Sequence, residues 1–121
     1  MKIFINTFLL SLFVGFFAIN TQAQDQARAK VHTAEFEVEG VCGMCKQRIE
    51  IAALIKGVKM AEWDKDTGIL VVVYNHKKTN EESIMQAVVE HGHDTKKLKA
   101  SDETYSKLPG CCQYRDGIEK H

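Results

Sequence analysis

The sequence predicts an α+β fold, with two helices packed on one face of a four-stranded antiparallel sheet in the order βαββαβ. Three observations carry this. Residues 31–39 alternate, with Ala34, Phe36 and Val38 on one side and Glu35, Glu37 and Glu39 on the other, which is the period of a half-buried strand. Residues 69–74 run almost unbroken through β-branched and aromatic side chains, as a central strand does. Two stretches, 44–55 and 79–91, place apolar residues at helical spacing, and Gly57 and Gly92 follow them as stop signals.

The first helix is expected to bury Ile49, Ala52, Ala53 and Ile55, with Lys46, Gln47, Arg48 and Glu50 in water. Residues 58–63 form a second strand, and Asp64-Lys65-Asp66-Thr67-Gly68 is the hairpin turn into the third. Thr79 and Glu82 have the spacing of a capping box for the second helix, which buries Ile84, Ala87 and Val88. Residues 96–99 are expected to add a short edge strand whose lysines blunt the edge. This is the split βαβ arrangement. Beyond residue 100 the pattern dissolves into a tail, residues 100–121, with one short helix over 102–108, the only proline (Pro109) and the adjacent pair Cys111 and Cys112.

The first 23 residues read as a signal peptide rather than as part of the fold. Lys2 opens a basic end, residues 3–19 are mostly apolar, and Asn20-Thr21-Gln22-Ala23 is a polar stretch ending on a small residue, so cleavage is expected after Ala23. The alternative, an uncleaved anchor, sits poorly with an apolar run shorter than about 20 residues that also holds Asn6, Thr7 and Ser11. The chain is therefore expected to be secreted, in a bacterial periplasm, with its domain over residues 30–99.

Charge is balanced, with 16 Lys and Arg against 16 Asp and Glu, so nothing favours nucleic acid as a partner or a membrane surface. The acidic strip Glu35, Glu37 and Glu39 reads as a solvated strand face, or else as a docking surface for a basic partner. No Ser-His-Asp ordering and no phosphate-cradling glycine loop occurs, and the expectation is that the protein is not an enzyme. The chemistry lies in four cysteines. Cys42 and Cys45 are separated by two residues on a loop that opens the first helix. Such a pair can hold a soft metal or shuttle a disulfide.

In this order of elements the chain resembles the heavy-metal-associated domain family, which comprises small copper chaperones, periplasmic mercury-binding proteins and the N-terminal domains of metal pumps. The resemblance covers roughly residues 31–99. It rests on Cys42-x-x-Cys45 after the first strand, Gly57-Val58 after the first helix, Asp66-Thr67-Gly68 before the third strand and Gly92-His93 after the second helix. It implies a ferredoxin-like fold that binds one soft ion through two cysteine thiolates, Cu(I) first, with Hg(II) or Zn(II) as alternatives. It also implies handover to a membrane metal transporter or efflux component by a monomer or a metal-bridged dimer. Two departures stand out. Family members usually carry a Met two residues before the first Cys, packed beneath the loop. Here Gly40 holds that position and Met44 lies between the cysteines. At the position after the glycine that ends the second helix, where family members usually carry an aromatic residue or, in some chaperones, a Lys or His, this chain has His93.

Cys42 and Cys45 are thus the primary metal ligands, and a thiol–disulfide redox protein using the same pair is the competing reading. Because Cys45 falls in the first turn and Lys46 follows it, Cys45 is expected to have the lower pKa of the two. His93 is a candidate third ligand. Met44 reads as a cover for the core, with a thioether ligand as the lesser alternative. Cys111 and Cys112 are a candidate second site, or a pair that swings onto Cys42 and Cys45. A disulfide between such neighbours would close a small strained ring and is not expected. Tyr105, Leu108 and Tyr114 are placed to dock the tail on the domain.

Overall fold

The computed structural model describes residues 30–117 and 119–121. The signal segment read over residues 1–23 lies outside the described residues. The elements are β1 (Val31–Glu37), α1 (Gly43–Ala53), β2 (Val58–Trp63), β3 (Ile69–Asn75), α2 (Glu81–Glu90) and α3 (Asp102–Ser106), followed by 3-10 turns at Gly110–Cys112 and Tyr114–Asp116. The sheet is antiparallel in the order β1-β3-β2. As its composition predicts, β3 is central. It turns Leu70, Val72 and Tyr74 to the core, where they meet Ala34 of β1, Ile49 and Ala53 of α1, and Ile84 and Val88 of α2. The hairpin turn closes where expected, with the Asp66 and Thr67 N–H groups donating to the Asp64 carboxylate and Gly68 at φ 73°.

Among the described residues the sheet has three strands, not four. Thr95 makes a single bridge to Val38, and the Glu39 N–H donates to the Asp94 carbonyl at 2.9 Å, so the segment starts along the edge of β1. It then curls on itself. The Thr95 N–H donates to the Leu98 carbonyl at 2.8 Å, and the Leu98 N–H donates back to the Thr95 hydroxyl at 2.9 Å. A side-chain-capped turn takes the backbone groups a strand would have used. The second helix also starts differently. Its N-cap is Asn80, whose side chain accepts from the Ser83 N–H at 2.8 Å, and Thr79 lies buried before it. Asn is a cap at least as good as Thr, so the local competition goes to Asn80.

Trp63, fully buried at the end of β2, supports the loop before α1. Its indole N–H donates to the Val38 carbonyl at 3.0 Å. Its ring lies so close to Gly40 that a Cβ there would stand 2.9 Å from one ring carbon and 3.0 Å from the next. An aromatic ring from another strand thus packs beneath the loop, and glycine at position 40 is what leaves room for it.

The tail folds back onto the domain. Leu108 is buried against Gly92, whose φ of 98° suits glycine and whose Cβ would stand 3.0 Å from the leucine side chain. The Tyr114 hydroxyl donates to the Gly92 carbonyl and accepts from the Asp94 N–H, both at 2.8 Å. Arg115 grips Asp94 with two N–H groups, at 2.8 and 3.1 Å, and lies over the Tyr105 ring. His93 is sealed beneath this layer, its ring stacked on Tyr114 and its Nδ1 2.8 Å from the Glu39 carbonyl oxygen. Burial pulls the His93 imidazole down from 6.5 to about 4, against the opposing pull of that carbonyl.

Two outcomes follow from this packing. Gly40→Ala should cost about 1–3 kcal/mol through overpacking, and much less in a Trp63→Phe background, whose ring lacks the crowding atoms; denaturant midpoints for the four-member cycle measure the difference, and equal costs in both backgrounds would contradict it. Because the folded-state pKa of His93 lies below its unfolded value, its contribution is complete above pH 6.5 and is lost as pH falls through about 4. Its size is on the order of 3 kcal/mol. The stability of His93→Gln, followed by urea unfolding, should therefore fall less steeply over that window than that of the parent protein, and matching slopes would contradict a neutral buried imidazole.

Candidate metal centre

The loop before α1 is held from three sides. Trp63 and Asp94 fix Val38 and Glu39, and the backbone N–H of His121, the last residue of the tail, donates to the Val41 carbonyl at 2.8 Å. Cys42 is the N-cap of α1, with extended backbone at φ −145°, and its carbonyl accepts the first helical bond from the Lys46 N–H at 3.0 Å. Cys45 falls on the same face as Ile49 and Ala53, four and eight residues on, and is carried into the core with them. The two-residue spacing therefore places one thiol at the helix mouth and the other just beneath it.

A third sulfur meets them. The Cys42 Sγ lies 3.3 Å from the Cys45 Sγ and 3.3 Å from the Cys112 Sγ. All three sulfurs lie within 4.8 Å of one another, and the residues are 4 %, 0 % and 0 % exposed. The tail's cysteine pair is thus divided. Cys112 turns inward, while half-buried Cys111 stays 3.9 Å from the Cys112 Sγ, with its thiol 3.7 Å from the Met44 sulfur. Met44 is half exposed and does not cover the core, because the helix turns its side chain outward toward Cys111. All four cysteines are free thiols. His93 stands outside the three-sulfur group. Its Nε2 is buried with no hydrogen-bond partner among the described residues, as is one terminal nitrogen of Arg48.

The order of acidity is the reverse of the expectation from sequence. Burial pushes the Cys42 thiol up, but the Cys45 and Met44 backbone N–H groups and the neighbouring Cys45 and Cys112 thiols outweigh it and bring the pKa down from 9.0 to about 7. Burial raises the Cys45 thiol above its ordinary value. Burial likewise raises Cys112, reinforced by its two sulfur neighbours and opposed by Arg48. The helix mouth favours the N-cap sulfur rather than the one a turn further in. Lys46, which the sequence places beside Cys45, bonds elsewhere. Its ammonium donates to the Trp63 carbonyl at 2.8 Å and pairs with Glu50 at 2.7 Å. Cys42 is thus the sulfur that ionises most readily of the three, with Cys45 and Cys112 beside it as further soft donors.

Sequence reasoning missed two groups that build this site. The Asp94–Arg115 pair joins residues far apart in the chain, and no local spacing announces it. Trp63 reads as an ordinary strand residue until its contact with Gly40 is seen.

No family model matches the chain, and no curated protein matches it significantly. Solved structures do. A CopZ metallochaperone is 30% identical, aligned over 53% of this chain and 98% of its own, with a TM-score of 0.51. The Cu(I)-loaded N-terminal domain of a potential copper-translocating P-type ATPase from Bacillus subtilis is 33% identical over 60% of this chain and 92% of its own, with a TM-score of 0.52. Oxidized MerP from Ralstonia metallidurans CH34, at 22% identity over 54% of this chain and 93% of its own, shares the fold with a TM-score of 0.51. With its cysteine pair at the mouth of the first helix and near-complete coverage of relatives at 30% identity or more, the chain belongs to the heavy-metal-associated domain family.

Proposed function

We propose that this protein is a carrier, not an enzyme. In this reading it binds one soft heavy-metal ion, Cu(I) first and Hg(II) or Zn(II) as alternatives, and sequesters it or passes it to a membrane metal transporter or efflux component. The observation that carries the reading is the Cys42–Cys45 pair, two sulfurs 3.3 Å apart at the mouth of α1, where backbone N–H groups lower the Cys42 thiol below its ordinary pKa. Thiolates prefer such ions to hard cations. The fold supports it too, since the relatives it aligns with over nearly their whole length include a metallochaperone and a Cu(I)-loaded pump domain. Transfer would proceed by thiolate exchange, an incoming sulfur binding before an outgoing one leaves. The leading 23 residues support export to the periplasm as the place of action.

In anaerobic titrations of the reduced protein against a competing chelator, Cu(I) should bind in a one-to-one complex, and Cys42→Ser/Cys45→Ser should lose it. Disulfide reductase activity without metal uptake would support the redox reading instead. Uptake unchanged in the double variant would exclude Cys42 and Cys45 as the site.

A further inference from the structure

We propose that Cys112 is the third ligand of this centre, so that the bound ion is held by the thiolates of Cys42, Cys45 and Cys112 and released when the tail lifts. The proposal rests on the carrier reading above and adds to it the ligand number and the means of release. The resemblance to the family ends near residue 99, and Cys112 lies in the tail beyond it.

The distances favour three sulfurs over two. With a metal–sulfur bond of about 2.3 Å, a trigonal site needs sulfurs about 4.0 Å apart and a linear two-sulfur site about 4.6 Å. Cys42 is 3.3 Å from both Cys45 and Cys112, and the whole set fits within 4.8 Å. Opening to the trigonal size takes several tenths of an ångström on each 3.3 Å edge. Opening Cys42 and Cys45 to the linear size takes about twice that, inside a packed core. Each thiol that binds gives its proton to solvent, so Cu(I) on three thiolates carries a net double negative charge. The Arg48 guanidinium near Cys112 partly offsets it.

The tail is built to hold Cys112 there and nowhere else. The Pro109 carbonyl accepts from the Cys112 N–H at 2.8 Å, closing the 3-10 turn that aims the thiol inward. Leu108 on one side and Tyr114 with Arg115 on the other clamp that turn to Gly92 and Asp94. With all three sulfurs buried, an incoming thiolate reaches the ion only after this clamp opens. Half-buried Cys111, beside exposed Met44, is left outside the set.

The test is X-ray absorption at the copper edge on the reduced, Cu(I)-loaded protein, with the rate of copper loss to a chelator measured on the same samples. The parent protein and Cys111→Ser should each show three sulfurs, and Cys112→Ser two, with faster loss. Arg115→Ala removes no sulfur and should release copper about 10- to 100-fold faster; it serves also if Cys112→Ser does not fold. Copper on two sulfurs in the parent protein, or a sulfur lost in Cys111→Ser but not in Cys112→Ser, overturns the third ligand and leaves the carrier standing. Failure of the parent protein to bind copper at all overturns both.

Discussion

The centre depends on one carboxylate. Asp94 accepts two N–H groups from Arg115, at 2.8 and 3.1 Å, and the Ala100 N–H at 2.7 Å, while its own backbone binds Glu39 on one side and Tyr114 on the other. It sits at the seam where the loop after α2, the end of β1 and the C-terminal tail meet. A two-point pairing of this kind fixes direction as well as distance, and its side chains are only 27 % and 11 % exposed. Remove it and the tail keeps Leu108 and the Tyr114 bond to Gly92 but loses the two-point anchor of Arg115. Whether a third sulfur stands over Cys42 is decided here, by residues outside the CxxC motif itself.

The same seam explains the missing fourth strand. In a four-stranded version, the segment after α2 would run along β1 and pair through its backbone. Here Asp94 and Thr95 spend their side chains on Ala100 and Leu98, the backbone turns away after a single bridge, and the tail occupies the space beside it. The domain gives up edge pairing and gains a docked tail. His93 belongs to this arrangement. Its position next to Gly92 matches the family, but its ring is stacked on Tyr114 and bonded to the Glu39 carbonyl, part of the floor on which the tail rests.

Much of the fold was legible because it follows from local rules. The β-branched run of residues 69–74 has the composition of a central strand and is one. The turn at Asp64 to Gly68 and the location of the cysteine pair at the start of α1 followed from spacing. What was not legible depends on choices between near-equal local options or on distant contacts. Asn80 and Thr79 are adjacent residues that both cap well, and it is Asn80 that accepts from the Ser83 N–H while Thr79 is buried before the helix. The thiol order inverted because the helix carries Cys45 into the core, where burial raises it, while Cys42 at the N-cap meets the Cys45 and Met44 N–H groups. Of the two tail cysteines, only the turn geometry distinguishes the inward one. Gly40 leaves a space that Trp63 fills from a different strand, a contact between residues 23 apart that no local pattern announces.

A structure of the reduced protein loaded with Cu(I), with the ion located by anomalous scattering at the copper edge, tests the account most directly. A single copper within bonding distance of the Cys42 and Cys45 sulfurs is the predicted result. Copper bound elsewhere on the chain, with those two sulfurs left as free thiols or joined as a disulfide, would contradict it.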